Sequence, residues 1–202
     1  MALRVPKAEL TGFTGAMIKW MGRRMFGEVP EPAEVMWHHP RLVRTFMRFG
    51  GKVEGWDAAD ATLKSFAQMA VAAQVGCGWC LDLGYFKARN DELDLAKASQ
   101  VPRWRESDVF TPLERDVMEY AEAMTQTTPT VTDELSARLL EALGPAALVE
   151  LTGFIAFANF TARTNVAFGI GSGGFSDRCQ LPPLARRADG VSSSADGVAS
   201  AA

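Results

Sequence analysis

The chain has 202 residues, 48% hydrophobic and 22% charged, with a formal net charge of −3. That balance suits one globular domain, with or without decorations, able to bury a core without staples. The net charge gives no footing for nucleic acid, and no stretch approaches the ~18 apolar residues of a membrane span. Three cysteines are too few, and odd in number, for a secreted disulfide framework.

The N-terminus lacks an uninterrupted apolar signal region with a small-residue cleavage site, so a reducing cytoplasm is the expected setting. Residues 9–26 contain no proline and carry Leu10, Phe13, Met17 and Trp20 at helical steps of three and four. Lys19, Arg23 and Arg24 occupy the other side. A basic amphipathic helix can lie on a membrane, but docking on the chain's own core or on a partner subunit is the expectation. Pro30 and Pro32 are expected to break the chain. A short helix follows Pro40 through Leu42, Val43, Phe46 and Met47 and is expected to end at Gly50-Gly51.

Asp60 then reads as an N-cap for a segment with Leu63, Phe66, Ala67, Ala70 and Val71 on an apolar face. Gly76 punctuates it, and Cys77 opens another helix running to about Asn90. Thr111-Pro112-Leu113-Glu114 combines a capping threonine, a proline suited to the first turn and a glutamate able to reach back. Thr132-Asp133-Glu134 starts a further helix with acids where the dipole favours them, and Gly144-Pro145 is expected to stop it. Residues 147–168 form the most hydrophobic stretch, expected to be buried on more than one side.

No sustained period-two pattern or Asn-Gly hairpin signal occurs, so the fold class is all-α, a helical bundle. The expected organisation is an N-terminal helical extension over residues 1–39, a main helical domain over 40–184 and a disordered tail over 185–202.

The chemistry centres on Cys77-Gly78-Trp79-Cys80. Cysteines at i and i+3 of a helix share a face at a spacing compatible with a disulfide. At a helix start the unpaired N–H groups and the dipole favour thiolate. An unperturbed thiol of pKa about 8.5 is only a few per cent thiolate at pH 7, and a shift to about 7 makes it half. Two cysteines can also meet as small buried hydrophobes, or form half of a zinc site. A second CxxC is absent, and the other candidate ligands, His38, His39 and Cys179, are distant in sequence. Cys179 reads as a bystander.

The run from Leu63 to Asp82, with its alanine-rich helix leading into the CxxC, resembles the signature of AhpD-like (alkylhydroperoxidase-D-like) proteins in the carboxymuconolactone decarboxylase family. The stretch from Phe110 to Met124 is similar to the helix that follows in that family. The segment from Leu151 to Gly169, with Asn159, Arg163 and Asn165, resembles its closing helix. The resemblance spans roughly residues 40–175 and implies an AhpD-like helical bundle assembling as a homo-oligomer. It also implies a thiol-dependent oxidoreductase acting on a small-molecule peroxide or disulfide substrate, with Cys80 peroxidatic and Cys77 closing the disulfide. No bound cofactor or metal is required, and a separate reducing dithiol protein would restore the thiols.

Two positions depart from the family's peroxidase pattern. Ser65 stands where the motif has glutamate, and Gly84 where it has histidine. Those groups form a proton relay, and general-base help is worth typically about 10²–10⁴-fold. Asp82 and Tyr85 lie nearby, but a carboxylate beside a thiol raises its pKa, so Asp82 is expected to be a solvated helix residue. Tyr85 suits a core or interface aromatic. Ser65, Trp79, Tyr85, Asn159 and Arg163 are the candidate pocket residues. Asn159, Arg163 and Asn165 also suit a polar network or subunit contact. A non-redox enzyme of the decarboxylase side, and a catalytically silent helical oligomer binding a small ligand, are the rival readings.

Overall fold

The computed structural model describes residues 2–90, 93–175 and 184. Among them every regular element is helical, and the all-α expectation holds. In chain order the helices are α1 Gly12–Phe26, α2 Glu31–Met36, α3 Pro40–Glu54, α4 Ala61–Val75, α5 Gly78–Asn90 and α6 Leu95–Gln100. A 3₁₀ turn Val101–Glu106, α7 Pro112–Thr125 and α8 Asp133–Phe168 follow. The tail over 185–202 and Cys179 lie outside the described residues.

The helix starts follow their caps. Asp60 Oδ1 accepts from the Leu63 N–H at 3.0 Å. Thr111 and Glu114 close a reciprocal capping box. Thr132 caps α8 through the Leu135 N–H at 3.2 Å. His39 caps α3, its Nδ1 accepting from the Leu42 N–H at 3.0 Å, while His38 Nε2 lies 2.9 Å from Pro6 O.

Two expectations hold and two are corrected. Pro30 and Pro32 mark a break as expected: α1 ends at Phe26, Pro30 stands outside α2 and Pro32 sits in its first turn, where a proline forfeits no helical hydrogen bond. The Gly50-Gly51 pair does not end α3, which runs on to Glu54. A Cβ on Gly50 would meet Phe157 Cζ at 3.2 Å, so the glycine admits α8 rather than terminating α3. Gly144, at φ 77° and ψ 167° with Pro145 behind it, leaves helical geometry, so the first helical run stops there as expected and a second follows across the kink within α8. The stretch after the kink is buried on one side: Leu151, Ile155, Ala158 and Ala162 enter the core, whereas Val149 and Phe160 face outward.

Helix α4 lies at the centre, packed on α5, α7 and α8. Phe66, Met69, Val71, Val117, Met118, Leu139, Leu151 and Ile155 are closed from solvent in this core. By length and composition α8 could cross a membrane, but these core contacts account for its apolar face. A second, smaller cluster of Leu10, Ile18, Trp37 and Val43 holds α1 to α3. Here α1 turns Gly15, Ile18 and Gly22 inward, while Phe13 is 87% and Trp20 67% exposed. The stripe through Phe13, Met17 and Trp20 therefore does not dock on the chain's own core. Side chains at the two glycines would collide, a Cβ lying 2.8 Å from Leu10 C and 2.5 Å from Pro30 Cδ, so close approach selects the glycine face.

Candidate active site

The dithiol sits in the joint between α4 and α5. Gly76 ends α4 in the left-handed region at φ 78°, which glycine adopts without strain. The Cys77 N–H returns to Ala72 O at 2.9 Å, closing the last turn of α4. Cys77 O then accepts from the Leu81 N–H at 3.0 Å, the first bond of α5. Cys77 thus stands at the N-cap and Cys80 three residues inside.

The Cys80 N–H donates to Cys77 Sγ at 3.2 Å, so sulfur takes the place of a capping hydroxyl. The two sulfurs are joined in a disulfide across a Cα separation of 5.3 Å. Cys77 is 1% exposed and Cys80 5%. The buried Asn165 amide, near the end of α8, brings Nδ2 to 3.4 Å from Cys80 Sγ. The sulfurs therefore share a helix N-terminus whose positive end favours charge on them.

Asp82 is not a solvated helix residue. It is buried, and its Oδ2 accepts from Ser172 Oγ at 2.9 Å and from the Phe175 N–H at 2.8 Å. The carboxylate anchors the segment after α8 onto α5, which explains why burial is tolerated. Trp79 packs edge-on against Phe175 with centroids 6.1 Å apart, and Phe26 and Phe86 meet the same ring. Tyr85 is fully buried, and burial pushes its phenol above the usual 10. It stays protonated at neutral pH and cannot serve as a base there.

The remaining candidates are placed elsewhere. Ser65 lines a cleft of about 650 Å³ with Trp56, Asp57, Lys64, Gln68 and Lys87, and neither cysteine lines that cleft. Arg163 donates to Thr125 O and to Asn159 Oδ1, and Asn159 Nδ2 donates to Thr125 Oγ1 at 3.0 Å. Asn159 and Arg163 thus tie α8 to the end of α7 in a polar network. At Gly84 a Cβ would lie 2.9 Å from Met69 Cγ, so a larger side chain requires Met69 to move. Packing of α5 on α4 occupies the position where the peroxidase pattern has histidine. Among the described residues no group of three His, Cys, Asp or Glu gathers as a metal cluster.

Sequence reading grouped Asn165 with Asn159 and Arg163 and misplaced Asp82. Asn165 follows Ala158 and Ala162 at steps of four and three, the inward face of α8. That register separates it from Asn159 and Arg163. No comparable signal marked Asp82, whose partners Ser172 and Phe175 lie about ninety residues away.

The carboxymuconolactone decarboxylase family model matches residues 40–123. The uncharacterized protein YnjA of Escherichia coli K12 is 33% identical over 164 residues, covering 81% of this chain and 88% of that protein. Among solved structures, an uncharacterized peroxidase-related protein from Ralstonia eutropha JMP134, described as an alkylhydroperoxidase AhpD core, superimposes with a TM-score of 0.73 at 19% identity, covering 85% of this chain and 92% of that one. The debrominase Bmp8, as a cysteine-to-alanine form in complex with 2,3,4-tribromopyrrole, gives 0.74 at 16% identity, covering 90% and 100%. Together with the dithiol-bearing helical bundle, these matches show that the chain belongs to the carboxymuconolactone decarboxylase family, on the helical fold of its AhpD-like proteins.

Proposed function

We propose that the protein is a thiol-dependent oxidoreductase in which Cys77 and Cys80 cycle between dithiol and disulfide while reducing a small peroxide or disulfide. The observation that carries this reading is the pair of bonded sulfurs at the N-cap and third position of one helix. Of the two, Cys80 is the more accessible, which supports attack by Cys80 and closure by Cys77. The Cys80 thiolate attacks the distal peroxide oxygen, the O–O bond breaks, and the released alkoxide takes a proton to leave as alcohol. Cys77 then attacks the sulfenic sulfur, water departs as the disulfide closes, and the two electrons lost by the thiols have passed to the peroxide oxygens, now in alcohol and water. A separate dithiol protein regenerates the pair, which sets the protein in a reducing compartment such as the cytoplasm. The cycle needs no bound cofactor.

The exposed Phe13, Trp20, Val149 and Phe160 support self-association as part of the same proposal. A non-redox reaction on a carboxylated ring would call on Arg163, whose guanidinium is already engaged by Thr125 and Asn159.

Peroxide turnover by wild type and Cys80→Ser, with a dithiol as reductant, tests the reading. Turnover is expected to vanish in the variant, and equal rates would remove the proposal. Because the fold also carries the debrominase Bmp8, a brominated pyrrole belongs in the panel. Its consumption in place of peroxide would change the substrate and leave the dithiol.

A further inference from the structure

The helix start does not treat its two sulfurs alike. Its N–H groups and dipole act on both, but the capping hydrogen bond from the Cys80 N–H goes to Cys77 Sγ. Backbone alone therefore makes Cys77, at 1% exposure, the better thiolate, although Cys80, at 5%, is the less buried residue. One side chain offsets this bias. Asn165 is 5% exposed, and its Nδ2 lies 3.4 Å from Cys80 Sγ, across from another helix. The donor end of the amide faces the sulfur, since its oxygen would oppose the sulfur lone pairs. Its backbone is fixed independently: Asn165 O accepts from the Ile170 N–H at 3.0 Å as α8 ends.

We propose that Asn165 is a positioning residue that stabilises the Cys80 thiolate, making Cys80 the attacking sulfur in a chain with Ser65 and Gly84 at the two relay positions. This rests on the reading of Cys80 as the reacting thiol. A hydrogen bond to the charged form lowers the thiol pKa. An amide has no proton to exchange near neutral pH, so it stabilises the thiolate without relaying the proton. The proton of Cys80 then passes to solvent or to the leaving oxygen.

The test titrates Cys80 in the full-length, reduced chain carrying Cys77→Ser and Cys179→Ser, by the pH dependence of iodoacetamide alkylation followed by mass spectrometry. Asn165→Asp keeps the shape but sets a carboxylate against sulfur, and Asn165→Leu keeps much of the volume but removes the donor. Both are expected to raise the Cys80 pKa by about one unit or more, which lowers alkylation about tenfold below the pKa. Asn165→Asp should give the larger shift. If one variant fails to fold, the other gives the readout.

The same substitutions in a Cys80→Ser, Cys179→Ser chain should leave the Cys77 titration within a few tenths of a unit. An unchanged Cys80 titration, or an equal shift at Cys77, overturns the assignment. The readout involves no peroxide, so a chain without peroxidase turnover but with the Cys80-specific shift would sink the proposed function and leave the role of Asn165 standing.

Discussion

In the centre of the molecule, α4, α7 and α8 turn Phe66, Val117, Leu151 and Ile155 toward one another and away from water. At the N-terminal end, α1 carries an equally regular apolar stripe but docks through Gly15, Ile18 and Gly22, with Phe13 and Trp20 outside. The two regions hold their charges differently as well. Lys64 and Glu150 pair at 2.9 Å with both side chains nearly buried, whereas Lys7 meets Glu31 and Glu34 at the surface. Apolar periodicity identifies a helix in both places. The face that enters the core is selected by how closely the backbones approach and by what each chain can satisfy there.

The comparison sharpens most under truncation of the centre. Phe66→Ala or Leu151→Ala should cost about 3–5 kcal/mol in denaturant unfolding, since transfer and cavity losses add. Trp20→Ser should stay within about 0.5 kcal/mol for the isolated chain. A cost for Trp20 matching the core values would show that another surface covers the α1 stripe.

Lys64→Met should be nearly as severe, up to about 3 kcal/mol, because Glu150 is left as a nearly buried charge held only by the Ala58 and Ala59 N–H groups. Lys7→Met breaks half-exposed pairs and should cost less than about 1 kcal/mol. Equal losses would erase the contrast between the two regions.

A smaller effect follows from pH. Burial pushes the Glu150 carboxyl up, but the Lys64 ammonium and the Ala58 and Ala59 N–H groups outweigh it and hold it below its usual 4.5. Its folded-state pKa is depressed, so its contribution is complete above about pH 4.5 and is lost as pH falls through the lower folded value. Urea midpoints measured down the acid limb should fall for wild type and flatten for Glu150→Gln. An unchanged limb would mean that other carboxylates dominate.

The helix starts were legible because their signals are local. Asp60, Thr111 with Glu114, and Thr132 each reach a backbone N–H within three residues. The dithiol was legible for the same reason: the glycine, the cap and both sulfurs lie within five consecutive residues. What escaped was set by distant partners. Gly50 is explained by Phe157 of α8 against it, Asp82 by Ser172 and Phe175 closing over it, and Asn165 by Cys80 across from it. Residues 95–106 carried no pattern that stood out, yet they form α6 and a 3₁₀ turn whose buried Val101 and Trp104 complete the core.

The most direct examination of the redox assignment is intact and peptide mass spectrometry of the fully reduced chain after one equivalent of hydrogen peroxide. The account predicts a loss of two hydrogens, with Cys77 and Cys80 joined in a single peptide and a sulfenic acid on Cys80 when Cys77 is serine. Persistence of both thiols under excess peroxide and excess disulfide would contradict it.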